Sequence, residues 1–143
     1  MRIAVLTTDT KHHTYFINKI SKIIGEVFVI YETRRLVKSY AVGPFYDQEQ
    51  DDFEEKFFDQ TPRSLPENVK KNIKIYKSCN DPECISYLKK IKPDIIITFG
   101  TGFLRPEVYT TSNICSLNIH RGHIADYRGL DSDLWAIYNK EFN

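Results

Sequence analysis

Two polar side chains, Asn118 and His120, stand two residues apart around Ile119 at the end of a β-rich run. On a strand, residues i and i+2 point to one face, so an amide and an imidazole converge while Ile119 enters the core. The imidazole can take and return a proton, and the amide N–H can hydrogen-bond an oxyanion as it forms. A satisfied polar pair at a strand end has the same spacing, and spacing alone leaves both readings open. A second candidate is Gly100-Thr101-Gly102, after an apolar run. Paired glycines let backbone N–H and C=O groups come close to a ligand, and a planar ring could slot against that bare backbone; a plain tight turn looks identical. The third is the pair His12 and His13, placed in the loop after the first strand, where they either contact a substrate phosphate or sugar or are simply loop. His123 adds another imidazole, but no Cys or carboxylate spacing accompanies these histidines, and no metal site is expected.

These residues need a frame that gathers strand ends. Residues 2–6 read as a buried first strand and 7–13 as a polar loop. Phe16, Ile17, Ile20, Ile23 and Ile24 then recur at helical spacing, and Gly25 sits where a helix would stop. Residues 26–31 (EVFVIY) make a second strand, and the β-α-β order favours a parallel, open sheet with a right-handed crossover. The stretch 32–71 is the least regular, with one helix expected over 48–59. A third strand covers 73–76. Asp81-Pro82 places an N-cap before a proline at the first helical position, opening a helix through Lys90. Pro93 closes that helix, and the β-branched run up to Thr98 reads as a strand buried on both faces. Pro106 opens a short helix to about Thr110, residues 114–119 form the next strand, and 130–138 the last helix, with Asp131 or Ser132 near its start and Trp135 in the core. Tyr40, Phe45, Tyr46, Phe53, Phe57 and Phe58 read as packing under the irregular segment, or as a platform for a nucleotide base. The acidic run 47–55 reads as a solvated helix face.

At 143 residues the chain suits one domain with one real core. Its 41% hydrophobic, 27% charged and 13% aromatic content is that of a folded globular protein rather than a disordered one. A net charge of +1 without a long basic run argues against nucleic-acid binding as the main role. No apolar stretch approaches the ~20 residues that span a bilayer, and the start is too short for a signal-peptide core. Cys79, Cys84 and Cys115 are an odd number for a disulfide framework, so the cytoplasm is the expected compartment.

The loop 121–129 shifts the balance between the readings of Asn118 and His120. The run PDIIITFGTGFLRPEVY, then SLNIH, then YRGLDSDLWAIYN, resembles the folate-dependent formyltransferases, whose members act on glycinamide ribonucleotide, methionyl-tRNA or nucleotide-linked amino sugars. The resemblance is sharpest over residues 92–139 and only topological before them. It implies an α/β fold, a Rossmann-like, open, mostly parallel sheet flanked by helices. It implies N10-formyltetrahydrofolate as formyl donor, Asn118 as oxyanion stabiliser and His120 as proton carrier. Gly100, Thr101, Gly102, Phe103 and Leu104 would form the folate side. Arg121, Tyr127 and Arg128, with His12 and His13, are the candidate substrate-binding residues; Arg128 either fixes its loop or meets a substrate anion.

Two departures from the family pattern matter. Many members carry Ser-Leu-Leu-Pro after the His, where this chain has Arg121-Gly122-His123-Ile124-Ala125; that wording, with Tyr-Arg-Gly-Leu-Asp-Ser-Asp, looks more like the amino-sugar branch. The family's third catalytic residue, an Asp, lies well beyond the His, and Asp126, Asp131 and Asp133 are too close to His120 to match it. Residues 1–143 are therefore expected to be the N-terminal portion of a formyltransferase-type catalytic domain, truncated before that Asp and short of the closing strands. The expected activity is formyl transfer to a nucleotide-linked amino sugar, with methionyl-tRNA and glycinamide ribonucleotide as alternatives. An inactive remnant that only binds folate, nucleotide or a protein partner is the alternative of another class. An unpaired sheet edge would allow self-association, as a homodimer.

Overall fold

A computed structural model describes residues 1–34, 44–58, 64–129 and 131–141, with the backbone alone at 44–47. Its centre is a sheet of five strands, all parallel: β1 (Arg2–Thr7), β2 (Glu26–Glu32), β3 (Ile73–Tyr76), β4 (Ile95–Phe99) and β5 (Cys115–Ile119). Their order is β3-β2-β1-β4-β5. The sheet therefore starts in the middle and grows first to one side and then to the other, the doubly wound pattern that leaves a crevice at the carboxyl ends between β1 and β4. The expected Rossmann-like α/β class is what the chain adopts.

Alternation along β1 explains how one strand serves two cores. Ile3 and Val5 join Val27, Val29 and Tyr31 on one face, packed by Ile17 of α1 (Lys11–Ile23) and Val69 of α3 (Glu67–Lys70). Ala4 and Leu6 join Ile30 and Ile96 on the other, packed by Cys84 and Leu88 of α4 (Pro82–Ile91) and Val108 of α5 (Pro106–Tyr109). A strand buried on both faces has to read as a continuous apolar run, and β1 and β4 do. After α4, Lys92 takes a left-handed conformation (φ 47°) and Pro93 follows, so the chain turns sharply into β4. None of the helices among the described residues is long and apolar enough to cross a membrane.

Several expectations need correction. The segment 7–13 is not all loop: α1 begins at Lys11 and carries both histidines on its first turn. That turn is polar, so apolar spacing could not reveal it. Thr10, at the N-cap, makes no side-chain capping bond; its hydroxyl lies 2.7 Å from His13 Nδ1 instead. Asp81 holds the N-cap position of α4, but its carboxylate accepts the Ser78 N–H (2.9 Å) rather than a helix N–H. Ile119 does not enter the core and is 36% exposed; among the described residues β5 pairs with β4 alone, which leaves its other side uncovered. Trp135 is 47% exposed and meets Tyr138 edge-on along α6 (Ser132–Tyr138).

The helix expected at 48–59 is α2 (Pro44–Phe58). Phe53 and Phe57 stack on its exposed side rather than packing beneath a loop, and Phe58 reaches Tyr15 of α1. Tyr40, Asp59 and Leu130, and the side chains of Phe45 and Tyr46, lie outside the described residues. Most of the acidic run is solvated, as expected, but Glu54 and Glu55 bond His12 and Lys11 and tie α2 to the start of α1.

Candidate functional site

A cavity of about 770 Å³ opens at the carboxyl ends of β4 and β5, within the usual size of small-molecule sites. Gly100, Thr101, Gly102, Phe103 and Leu104 line one side, Asn118 and His120 another, and Arg121 and Arg128 the loop side, which ends at Asp131 and Ser132 of α6. The structure thus brings together nine of the residues expected from sequence. His12, His13 and Tyr127 are not among the lining residues.

Asn118 pairs in register with Thr98 of β4. The buried Thr98 hydroxyl donates to Asn118 Oδ1 at 2.8 Å. With its oxygen so occupied, the amide has its two N–H donors left for the cavity, the polarity that a developing oxyanion needs. His120 begins the loop after β5, and its Nδ1 lies 3.1 Å from both the N–H and the C=O of Gly122. One backbone unit therefore serves either tautomer. Accepting the N–H leaves the proton on Nε2, and donating to the C=O leaves Nε2 as a base. A ring anchored this way can move a proton through Nε2 without turning.

Glycine is required at two places around these groups. Gly100 has φ 74°, and a Cβ there would lie 2.7 Å from His13 Nε2 and Cε1. At Gly122 a Cβ would lie 2.5 Å from the Ser132 Cβ and 2.9 Å from the Tyr127 carbonyl oxygen. The loop after His120 can close on the start of α6 only because that side chain is missing.

The remaining candidates have partners elsewhere. His12 Nδ1 is 3.1 Å from the Glu54 carboxylate. His13 is 4% exposed, wedged against Phe99 and under Gly100, with Thr8 and Thr10 hydroxyls on Nδ1 and no partner at Nε2 among the described residues. Burial first, and then the charge of His12, pull its pKa down to about 3, against an opposing hydrogen bond from Thr8. Tyr127 donates its hydroxyl proton to Glu141 (2.7 Å) and accepts from Asn139 (2.9 Å), which ties the loop to the end of α6. Arg121 forms an exposed ion pair with Asp133 at 3.4 Å, and His123 meets Asp126 at 2.7 Å. Arg128 is exposed at the cavity rim.

Three polar residues that sequence reading passed over shape this site. Thr98 sets the direction of the Asn118 amide. Glu32, the last residue of β2 and 4% exposed, accepts the N–H of Gly102 through Oε1 (2.9 Å) and the N–H of Cys79 through Oε2 (2.7 Å). Asn80 donates to the Phe103 carbonyl (2.8 Å) and accepts the Arg105 N–H (2.8 Å). A carboxylate closing an apolar strand at the carboxyl edge of the sheet was the available signal for Glu32. Nothing in the sequence pattern marked the other two.

No protein-family model matches this chain. Among curated proteins it is similar to the methionyl-tRNA formyltransferase of Clostridium acetobutylicum, 38% identical over 77 residues, which are 51% of this chain and 25% of that protein. It is also similar to the methionyl-tRNA formyltransferase of Chlorobium chlorochromatii, 34% identical over 62 residues (43% of this chain, 20% of that protein). A further likeness is to the bifunctional polymyxin resistance protein ArnA of Wigglesworthia glossinidia brevipalpis, 31% identical over 77 residues (52% and 12%). The chain spans about a quarter or less of the length of these relatives.

Proposed function

We propose that this protein is an N-formyltransferase that moves the formyl group of N10-formyltetrahydrofolate to the amine of a nucleotide-linked amino sugar, with residues 1–143 forming the N-terminal portion of its catalytic domain. The observation that carries the reaction class is the sharing of one cavity by the Asn118–His120 pair and the Gly100 to Leu104 loop. Similarity to methionyl-tRNA formyltransferases and to ArnA supports the same class of enzyme.

The residues present fit the donor. Bare backbone at Gly100 and Gly102, beside the exposed Phe103 ring, offers a flat, partly apolar wall to a planar heterocycle. The donor supplies the formyl carbon. A C–N bond forms between that carbon and the substrate amine, and the bond to the folate N10 breaks. Asn118 N–H donors meet the formyl oxygen as negative charge gathers on it. His120 Nε2 takes the proton from the attacking amine and returns one to the departing N10. Arg121 and Arg128 at the rim suit the phosphates of a nucleotide-linked substrate.

The His-Arg-Gly and Tyr-Arg-Gly-Leu-Asp-Ser-Asp wording favours the amino sugar. Methionyl-tRNA is the second reading, favoured by the names of several relatives, whereas the net charge of +1 gives little for a tRNA backbone to meet. The test is an assay with N10-formyltetrahydrofolate and either a nucleotide 4-amino-sugar or methionyl-tRNA. Formyl transfer to the amino sugar that drops at least about 10²-fold in His120→Ala supports the proposal. Transfer to the tRNA alone would replace the substrate, and transfer indifferent to His120→Ala would remove its role. Folate binding without turnover on either substrate would favour a binding module.

A further inference from the structure

We propose that Glu32 is a positioning residue for the donor: its carboxylate, together with the Asn80 amide, fixes the wall at residues 100–105 on which the folate is read. This inference rests on the donor reading above and deepens it. The wall lies beyond the end of β4, in neither strand nor helix, so no sheet ladder holds it. Three side-chain bonds hold it instead. Gly102 N–H reaches Glu32 Oε1 at 2.9 Å, Phe103 C=O receives the Asn80 amide at 2.8 Å, and Arg105 N–H reaches Asn80 Oδ1 at 2.8 Å. Glu32 Oε2 accepts the Cys79 N–H at 2.7 Å and the Ser78 hydroxyl at 3.3 Å, so the residue next to Asn80 is locked by the same carboxylate.

The arrangement forms a bracket. β2 supplies the carboxylate, the 78–80 turn supplies the amide, and both close on one loop. Burying a carboxylate is costly unless each oxygen is satisfied. Here both are satisfied by N–H groups of the two loops that the bracket joins, and charge-assisted bonds of this kind are about twice as strong as neutral ones. Nothing in the packing of β2 requires an acid at its end. Tyr31 before it and Val29 are apolar core. Its bonds run outward, to the 78–79 turn and to Gly102 in the cavity wall.

Glu32→Gln keeps shape and burial but replaces one acceptor oxygen by an NH2 group. The shorter Cys79 bond and the Ser78 hydroxyl will keep the remaining oxygen, so the NH2 faces the Gly102 N–H, donor against donor. The Gly102 arm opens while the Cys79 arm stays. Two measurements test this on the protein. Amide hydrogen exchange should speed up at Gly102 in Glu32→Gln by at least tenfold, with the amides of β4 and β1 still protected. The dissociation constant for N10-formyltetrahydrofolate should rise about tenfold or more, with thermal unfolding still cooperative. Asn80→Ala, which leaves Glu32 in place, should weaken folate binding by a similar factor. The double variant should lose less than the product of the two, because both act through one wall.

If folate affinity in Glu32→Gln equals wild type while Gly102 exchanges freely, the loop does not need its bracket and the inference is overturned. If Gly102 stays protected in Glu32→Gln, the bond assignment is wrong and the inference falls with it. Should Glu32→Gln fail to fold, Asn80→Ala decides by the same binding measurement. Wild-type protein that binds no folate overturns the donor reading itself, and is distinguished from a failure of Glu32 alone by that control.

Discussion

His13 and His120 stand at carboxyl ends of the same sheet, and they share little beyond their side chain. His13 lies on the first turn of α1, 4% exposed, held by two threonine hydroxyls and roofed by Gly100. His120 lines the cavity from the loop after β5, with Nδ1 on the backbone of Gly122. One imidazole gives the loop at Gly100 something to rest on; the other faces the cavity. The difference teaches that two histidines at strand ends are separated by their surroundings: one is packed beneath a loop, the other lines a cavity. β1 lies at the centre of the sheet between β2 and β4, whereas β5 pairs with β4 alone among the described residues.

The comparison breaks most sharply through activity. His120→Ala should lower formyl transfer about 10²- to 10⁴-fold and move the unfolding midpoint little. His13→Ala should do the reverse, costing about 1–3 kcal/mol of stability through the space it leaves. Stopped assays and thermal melts of both variants would test the contrast, and a shared loss of activity and stability in both would erase it.

Next in size is Gly100→Ala. A left-handed backbone costs a non-glycine residue about 1–2 kcal/mol, and the new Cβ would meet the His13 ring at 2.7 Å. A loss of about 2–4 kcal/mol is expected in denaturant melts, the second part of it from overpacking. Gly100→Ala combined with His13→Ala should recover that second part. Strictly additive losses would mean the two residues do not press on each other.

A smaller effect concerns pH. The folded pKa of His13 is pulled from 6.5 to about 3, first by burial. Between those values the unfolded chain binds a proton that the folded chain refuses, so stability falls as pH falls from about 6.5 toward 3. The urea midpoint of wild type should decline over that window more steeply than that of His13→Asn. Parallel slopes would place the His13 pKa near its ordinary value. Smallest of all should be Glu54→Gln, which removes the partner of His12. A partly exposed pair of this kind is worth about 0–1 kcal/mol, and a loss above 2 kcal/mol would give His12 a larger part than the comparison allows.

Much of this contrast was open to the sequence, and some of it was not. β3 at Ile73–Tyr76 and α5 at Pro106–Tyr109 follow from β-branched and proline signals, which act over a few residues. The linked motifs around Asn118 and His120 led to one cavity because motif order carries more information than any single motif. The first turn of α1 was hidden because Lys11, His12, His13 and Thr14 carry no apolar period. The exposure of Ile119 was hidden for another reason: a strand's place in the sheet is a property of strand order, and strand order is decided between segments far apart in the chain. Glu32 and Gly102, 70 residues apart, belong to the same class. Local rules locate elements, while the bonds that aim a site are made between them.

The bond from Thr98 to Asn118 carries one more consequence. A carboxamide is close to symmetric in outline, but its two ends have opposite electrical character. Packing alone can tell the two orientations apart only weakly. A single hydroxyl, offering its proton to Oδ1 at 2.8 Å, holds the orientation in which the NH2 end is left for the cavity. The cavity wall at Asn118 is thereby biased toward anions by a residue that is itself almost wholly shut away from solvent. The polarity of the wall at that point is thus carried by a hydrogen bond between two strands rather than by the outline of the side chain.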